Sequence, residues 1–244
     1  MATRPALQRR ARVVRVPPST PRIRLTLLDS FELMADGRPV TVPFTAQRVL
    51  ALLALSDRPL LRHRVAGTLW GEASASRAGA NLRSALWRLP ATGVVDATAS
   101  HVRMRPDVAV DFREAMVIAR AMIDPSSSGE GPVEALTRDL LPDWDEEWLW
   151  VERERYRHLR LHALERLCER LTDAGRFDRA VEVGQLAVAG DVLRETAHRV
   201  LIRAHVAEGN RGAALRQYRA YVRVLRDELD AEPSPSITGL VHRA

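Results

Sequence analysis

The sequence predicts a mainly α protein: an N-terminal winged helix-turn-helix of mixed α and β structure, followed by an all-α, tetratricopeptide-like helical domain. Three observations carry this prediction. Short alternating strands bracket three helical stretches in the first hundred residues, and the chain beyond Asp111 is helical in pattern throughout. Within that second half a set of small and apolar positions recurs with a fixed spacing of 34 residues. At 244 residues, the chain is longer than one ordinary domain of about 100–200 residues. Its 46% hydrophobic and 28% charged residues are those of a globular chain. The expected division is a flexible basic arm over 1–21, the winged helix over 22–108 and the helical domain over 109–244.

Charge divides the same way. All 37 basic residues are Arg; residues 1–110 sum to +10 and residues 111–244 to −4, giving the net +6. A positive field draws polyanions through counterion release, so double-stranded DNA is the expected partner of the first half. No apolar run nears the ~18 residues of a membrane span, and the basic start lacks the apolar stretch of a secretory signal. A cytoplasmic, nucleoid-associated protein without membrane contact is the expectation. The lone Cys168 excludes an internal disulfide and any multi-cysteine metal site.

The elements follow in order. Pro17, Pro18 and Pro21 block regular structure in the arm. Ile23, Leu25 and Leu27 then alternate with polar residues as in a half-buried strand, and Phe31–Met34 is a second. Asp36-Gly37 turns the chain into a third strand at Val40–Val42. Thr45 is placed to cap a helix with Val49, Leu50, Leu52 and Leu53 on its apolar face. A second helix runs from Arg62 to Trp70, whose indole is assigned to the core. After a Gly71–Ala75 loop, a third helix runs from about Ser76 to Leu89, where Pro90 halts it. Val94–Asp96 and His101–Met104 form a hairpin, the wing.

Beyond Asp111 the pattern gives helices at Phe112–Ile123, Val133–Leu141 and Trp148–Gly175. Ala163, Leu167, Gly175 and Ala180 recur as Ala197, Leu201, Gly209 and Ala214, the tetratricopeptide period. Each copy reads helix, glycine turn, helix, and the copies should stack as a short solenoid because neither buries its apolar face alone.

At about 100° per residue, Leu82, Leu86 and Leu89 of the third helix share one sector facing the core. Arg77, Asn81, Ser84 and Arg88 form a stripe on its outer side. Arg chelates guanine acceptors, Asn pairs with the adenine edge and Ser reaches a base or phosphate. A solvated helix face carrying two arginines is the bland alternative. Arg83 lies off the stripe and is assigned to phosphate or to an intramolecular acid. On the wing, His101, Arg103 and Arg105 point outward opposite Val102 and Met104, within reach of the adjacent minor groove. Arg9, Arg10, Arg12 and Arg15 of the arm add at most sequence-independent affinity. Trp87 points outward and is assigned to a contact with the helical half.

Catalytic signatures are missing from the sequence. Gly129-Glu130-Gly131-Pro132 lacks the strand, helix and Lys of a phosphate loop, and there is no Gly-x-Ser-x-Gly element. His158 and His162, one turn apart, have the spacing of a metal pair without a third ligand, so a solvated face is the better reading. Asp143, Asp145, Glu146 and Glu147 fit a helix N-terminus favoured by the dipole. Neither enzyme activity nor a cofactor is expected.

Several stretches together resemble a known family. They include Gly37-Arg38-Pro39-Val40, Leu69-Trp70, Asn81-Leu82-Arg83-x2-Leu86-x-Arg88-Leu89 and Val110-Asp111-Phe112. The second half adds Leu141-Pro142-Asp143-Trp144-Asp145-Glu146-Glu147-Trp148, Arg194-Glu195-x2-His198-Arg199 and Pro233-Ser234-Pro235. Over about residues 22–243 the chain resembles the Streptomyces antibiotic regulatory protein family, a response-regulator-type winged helix joined to a bacterial transcriptional activator domain. The resemblance implies an activator of specialised-metabolite genes that self-associates side by side on direct repeats. It implies recruitment of RNA polymerase through its sigma factor, with the Gly71–Ala75 loop facing the polymerase. DNA contacts carried over are Arg77, Asn81, Ser84 and Arg88 in the helix and Arg103 in the wing. The chain departs from the family pattern at Pro90 (usually Arg), at Asp29 and Asp230 (usually Gly) and at Val192 (usually Pro). The wing tip also lacks its usual Gly.

Two other readings fit the residues. A helical interaction module with degenerate DNA binding is the alternative. A small-molecule sensor with a pocket in the helical half has no residue signature in the sequence.

Overall fold

A computed structural model describes residues 23–89, 93–127 and 130–242; the basic arm and Pro90 lie outside them. The described residues begin with β1 (Ile23–Thr26), β2 (Glu32–Ala35) and β3 (Arg38–Pro39), antiparallel neighbours in that order. The third strand thus precedes the expected Val40–Val42, because the tight Asp36-Gly37 turn, with φ of 50° and 75°, returns the chain into pairing at once. Helix α1 (Phe44–Ala54) starts behind Pro43, so Thr45 lies inside the first turn and caps nothing. β4 (Leu60–Leu61) leads into α2 (Arg62–Leu69), and α3 spans Ala75–Trp87.

The wing is β5 (Val95–Ala97) and β6 (His101–Met104), with β6 also paired to β4. β7 (Val108–Val110) then returns to lie parallel to β1, completing a sheet of order β3-β2-β1-β7. Val102 and Met104 point into the core, as their alternation predicts. Trp70 is only half-buried, its ring 5.8 Å from the Arg48 guanidinium.

Helix α4 (Asp111–Ile123) follows β7 without a loop. The expected helix at Val133–Leu141 is instead a single 3-10 turn, Val133–Leu136, followed by a bend and one isolated β-bridge at Leu140. Leu140 bridges Leu28, Asp29 N–H donates to Asp139 O (2.7 Å) and Leu141 N–H to Leu27 O (2.9 Å). Pairing with the end of β1 pulls this segment out of the helical conformation its apolar spacing favours. α5 (Glu147–Asp173), α6 (Phe177–Gly190), α7 (Glu195–Ala207) and α8 (Arg211–Leu229) pack in sequence, and α9 (Pro235–His242) closes the end.

The repeat is visible in three dimensions. Ala163, Leu167 and Ala180 are buried, as are Ala197, Leu201 and Ala214, so each helix pair approaches closely where the small residue sits. Gly175 and Gly209, with φ of 71° and 85°, terminate α5 and α7 in the left-handed region. One continuous core runs from Leu25 and Leu27 through Phe112 and Tyr156 to Val200; a second around Ile202, Tyr221 and Ile237 seals the far end. Two of the family's glycine positions also explain themselves: Asp29 and Asp230 both stand at positive φ, 70° and 49°.

Candidate nucleic-acid interface

α3 is held by its own start and by its buried side. Ser74 Oγ accepts from Arg77 N–H (3.4 Å), and Ala78, Leu82 and Ala85 face α1 and α2. Small residues at two of those positions let the three helices approach closely, which pushes the opposite side of α3 outward. Arg77, Arg83, Ser84, Trp87 and Arg88 are all exposed there, and Asn81 is half-buried on the flank. Arg83 and Trp87, one turn apart, lie nearer the centre of this face than the stripe of Arg77, Asn81, Ser84 and Arg88. The side chains of Arg77, Arg83 and Arg88 have no hydrogen-bond or ion-pair partner among the described residues. No acidic residue stands in α3 itself.

Trp87 is 87% exposed, so it is not packed against the helical half among the described residues, which corrects its assignment to an interdomain contact. An indole on the outward side of a helix that turns its alanines inward has nothing to pack against in the free chain.

The wing presents a different picture. Arg103 and Asp96 are directly opposite on β6 and β5, and the Arg103 Nη2 and Nε donate to one Asp96 oxygen at 2.8 and 3.0 Å. Arg105 is engaged by Asp107. Arg103 is therefore placed on the surface but tied internally, and a phosphate would have to displace Asp96. Arg62 N–H donates to Ser100 O (2.9 Å), fixing the wing tip against the start of α2. His63 and Arg64 on α2 are exposed beside this junction; nothing in helical spacing singled them out.

Other chemistry-bearing residues serve structure. Cys168 is buried with Sγ 3.2 Å from Ala180 O, and burial pushes its thiol up to about 12, far from a reactive thiolate. Glu146 accepts from Arg48 and Trp148, so the acidic run before α5 is part of a junction. His158 and His162 are exposed, and no group of three metal-ligating side chains occurs among the described residues. No helix among them is long and apolar enough to cross a membrane.

A winged helix-turn-helix fused through one core to a tetratricopeptide-like stack is the architecture of a bacterial transcription regulator. Residues 131–243 match the family model of the bacterial transcriptional activator domain. Regulatory protein AfsR of Streptomyces coelicolor is 29% identical over 237 residues, covering 91% of this chain and 24% of that protein. The solved structure of Mycobacterium tuberculosis EmbR, in complex with a low-affinity phosphopeptide, superposes with a TM-score of 0.69 at 23% identity. It covers 91% of this chain and 64% of that one, and shows a shared fold. The chain thus spans about a quarter of the curated relative it matches. The chain is thus similar to transcriptional regulators of the Streptomyces antibiotic regulatory protein family, with the bacterial transcriptional activator domain matched over residues 131–243.

Proposed function

We propose that the chain is a sequence-specific DNA-binding transcriptional activator of specialised-metabolite genes. In this reading the winged helix, residues 22–108, binds direct repeats at promoters as side-by-side protomers. The activator domain, residues 109–244, and the Gly71–Ala75 loop serve recruitment of RNA polymerase through its sigma factor. α3 enters the major groove with Arg77, Asn81, Ser84 and Arg88 at base edges and phosphates, Arg83 on phosphate, and Arg103 on the backbone beside the wing. The protein works in the cytoplasm on the nucleoid.

The observation that carries this reading is the exposed side of α3. Three arginines stand there without partners, whereas among the described residues most arginines outside α3 are engaged by acids or carbonyls. Gel shifts on promoter fragments bearing direct repeats test the reading. Affinity should fall steeply with salt, and Arg83→Ala should lower the slope of log K against log salt by about 1. Arg88→Ala should cost about 1–3 kcal/mol on the specific site. Binding that ignores sequence, or a footprint indifferent to Arg88→Ala, would refute the assignment.

A further inference from the structure

The sequence offers no sign of a ligand pocket in the helical half, yet the fold assembles one. A groove of about 500 Å³ lies between α4 and α5 and is closed at one end by the residue that precedes α7. That volume is within the ~300–1,000 Å³ usual for small-molecule sites. Met116 and Leu159 give it an apolar floor. Every polar side chain lining it is an arginine or a histidine: Arg120 from α4, then Arg155, His158 and His162 from one face of α5, then Arg194. No carboxylate lines it, although residues 111–244 carry a net charge of −4.

The arrangement of partners matters more than the count. Glu165 is buried beneath the groove, where Arg194 Nε and Nη2 donate to it at 2.6 and 3.1 Å and Thr196 Oγ1 at 2.5 Å. These bonds fix the Arg194 guanidinium and leave its Nη1 turned to His158 Nδ1, 3.5 Å away. His162 Nδ1 lies 3.8 Å from Glu165, and His158 Nε2 lies 3.9 Å from Glu154, which already accepts from Arg157 at 3.1 Å. The nearest acid to Arg155 is Glu152 at 3.7 Å, too far for a hydrogen bond. Arg120 has no ion-pair or side-chain hydrogen-bond partner among the described residues. Donors from three separate elements thus converge on one apolar-floored space with most of their hydrogen-bonding capacity unspent.

We infer that this groove binds a small phosphorylated organic molecule. Its apolar body rests on Met116 and Leu159, and its phosphate oxygens accept from Arg120 and Arg155, with Arg194 and the two imidazoles completing the shell. Guanidinium forks match phosphate oxygens two at a time, which a solvated helix face has no need to do. A regulator with such a site couples its activator domain to a metabolite, and the inference does not rest on the DNA reading of α3.

Calorimetric titration of the full chain tests it, with ATP, pyrophosphate and adenosine as probes. Saturable one-to-one binding of ATP is expected, with pyrophosphate retaining part of the affinity and adenosine at least tenfold weaker. Arg120→Ala combined with Arg155→Ala should weaken ATP at least tenfold while leaving the melting temperature and the promoter gel shift unchanged. Arg83→Ala with Arg88→Ala should leave ATP binding intact while abolishing the shift. The inference falls if neither ATP nor pyrophosphate saturates, if the groove variant binds as tightly as the parent, or if only the α3 variant loses the anion. A mixed-sequence duplex that competes ATP off the α3 variant also overturns it, because the groove would then be a nucleic-acid surface.

Discussion

Asp111 shows how much one side chain holds together. Its Oδ1 accepts from Leu27 N–H (2.8 Å) and Phe112 N–H (2.7 Å), and its Oδ2 from Leu28 N–H (3.1 Å). It joins the end of β1 to the start of α4, and burial lifts its carboxyl above the ordinary range even against those donors and Arg138. Asp111→Ala would strand three buried N–H groups and should cost about 3 kcal/mol or more in urea unfolding. His198 makes the complementary case in the helical half. Its Nε2–H donates to Val192 O, its Nδ1 accepts from Gln217 Nε2, both at 2.9 Å, and its ring lies against Tyr221. Burial pulls its pKa below the ordinary imidazole value of about 6.5, although the Val192 carbonyl favours the charged form. Its contribution to stability is therefore present above that value and lost as pH falls toward the depressed one. Melting curves between pH 7.5 and 5 should show the loss, and His198→Gln should flatten it.

Elements end where backbone geometry lets them, and two ends carry a cost. Asp29 and Asp230 occupy left-handed backbone that glycine would take freely. Asp29 is compensated: its carboxylate accepts from Asp139 N–H (3.3 Å) and its own N–H donates to Asp139 O. Asp230, just past α8, has no comparable side-chain bond among the described residues. Asp230→Gly should stabilise the protein by about 1 kcal/mol, read as a higher melting temperature, and Asp29→Gly by less. The reverse change at Gly209, φ 85°, should cost about 1 kcal/mol as Gly209→Ala, although nothing crowds the position. The helices themselves were readable because apolar spacing is a local signal. The short strands were not: β4 has two residues and β7 three, and both exist only because β6 and β1 wait elsewhere in the chain. The Val133–Leu141 segment carries helical spacing, but its pairing with Leu27–Asp29 overrides it.

The whole molecule is joined by a junction that no spacing rule could reveal. Arg48 of α1 meets Glu146 before α5, with Nη2 donating at 2.8 Å and Nε 2.6 Å from the other oxygen but off the hydrogen-bond axis. Arg48 Nη2 also donates to Leu69 O (2.7 Å), and Trp148 Nε1 to Glu146 (2.6 Å). This places the Gly71–Ser74 loop beside the activator domain. Glu146→Ala would leave Arg48 enclosed without a counter-charge and should lower unfolding free energy by about 3 kcal/mol, measured by denaturant titration. Arg113 ties the halves again by donating to Leu53 O, Ala54 O and Ser56 O at the end of α1.

Local periodicity by itself determined the winged helix, the paired helices with their glycine turns, and the outward set of Arg77, Asn81, Ser84 and Arg88. Only the tertiary structure decided which of those arginines stay unpaired, that Trp87 stands clear of the helical half, and that Arg103 is held by Asp96. It alone gathered Arg120, Arg155 and Arg194 around one groove. The physical reason is range. Helical phase is written in residues three and four apart, whereas charge pairing and cavity formation depend on side chains that only the folded chain brings together.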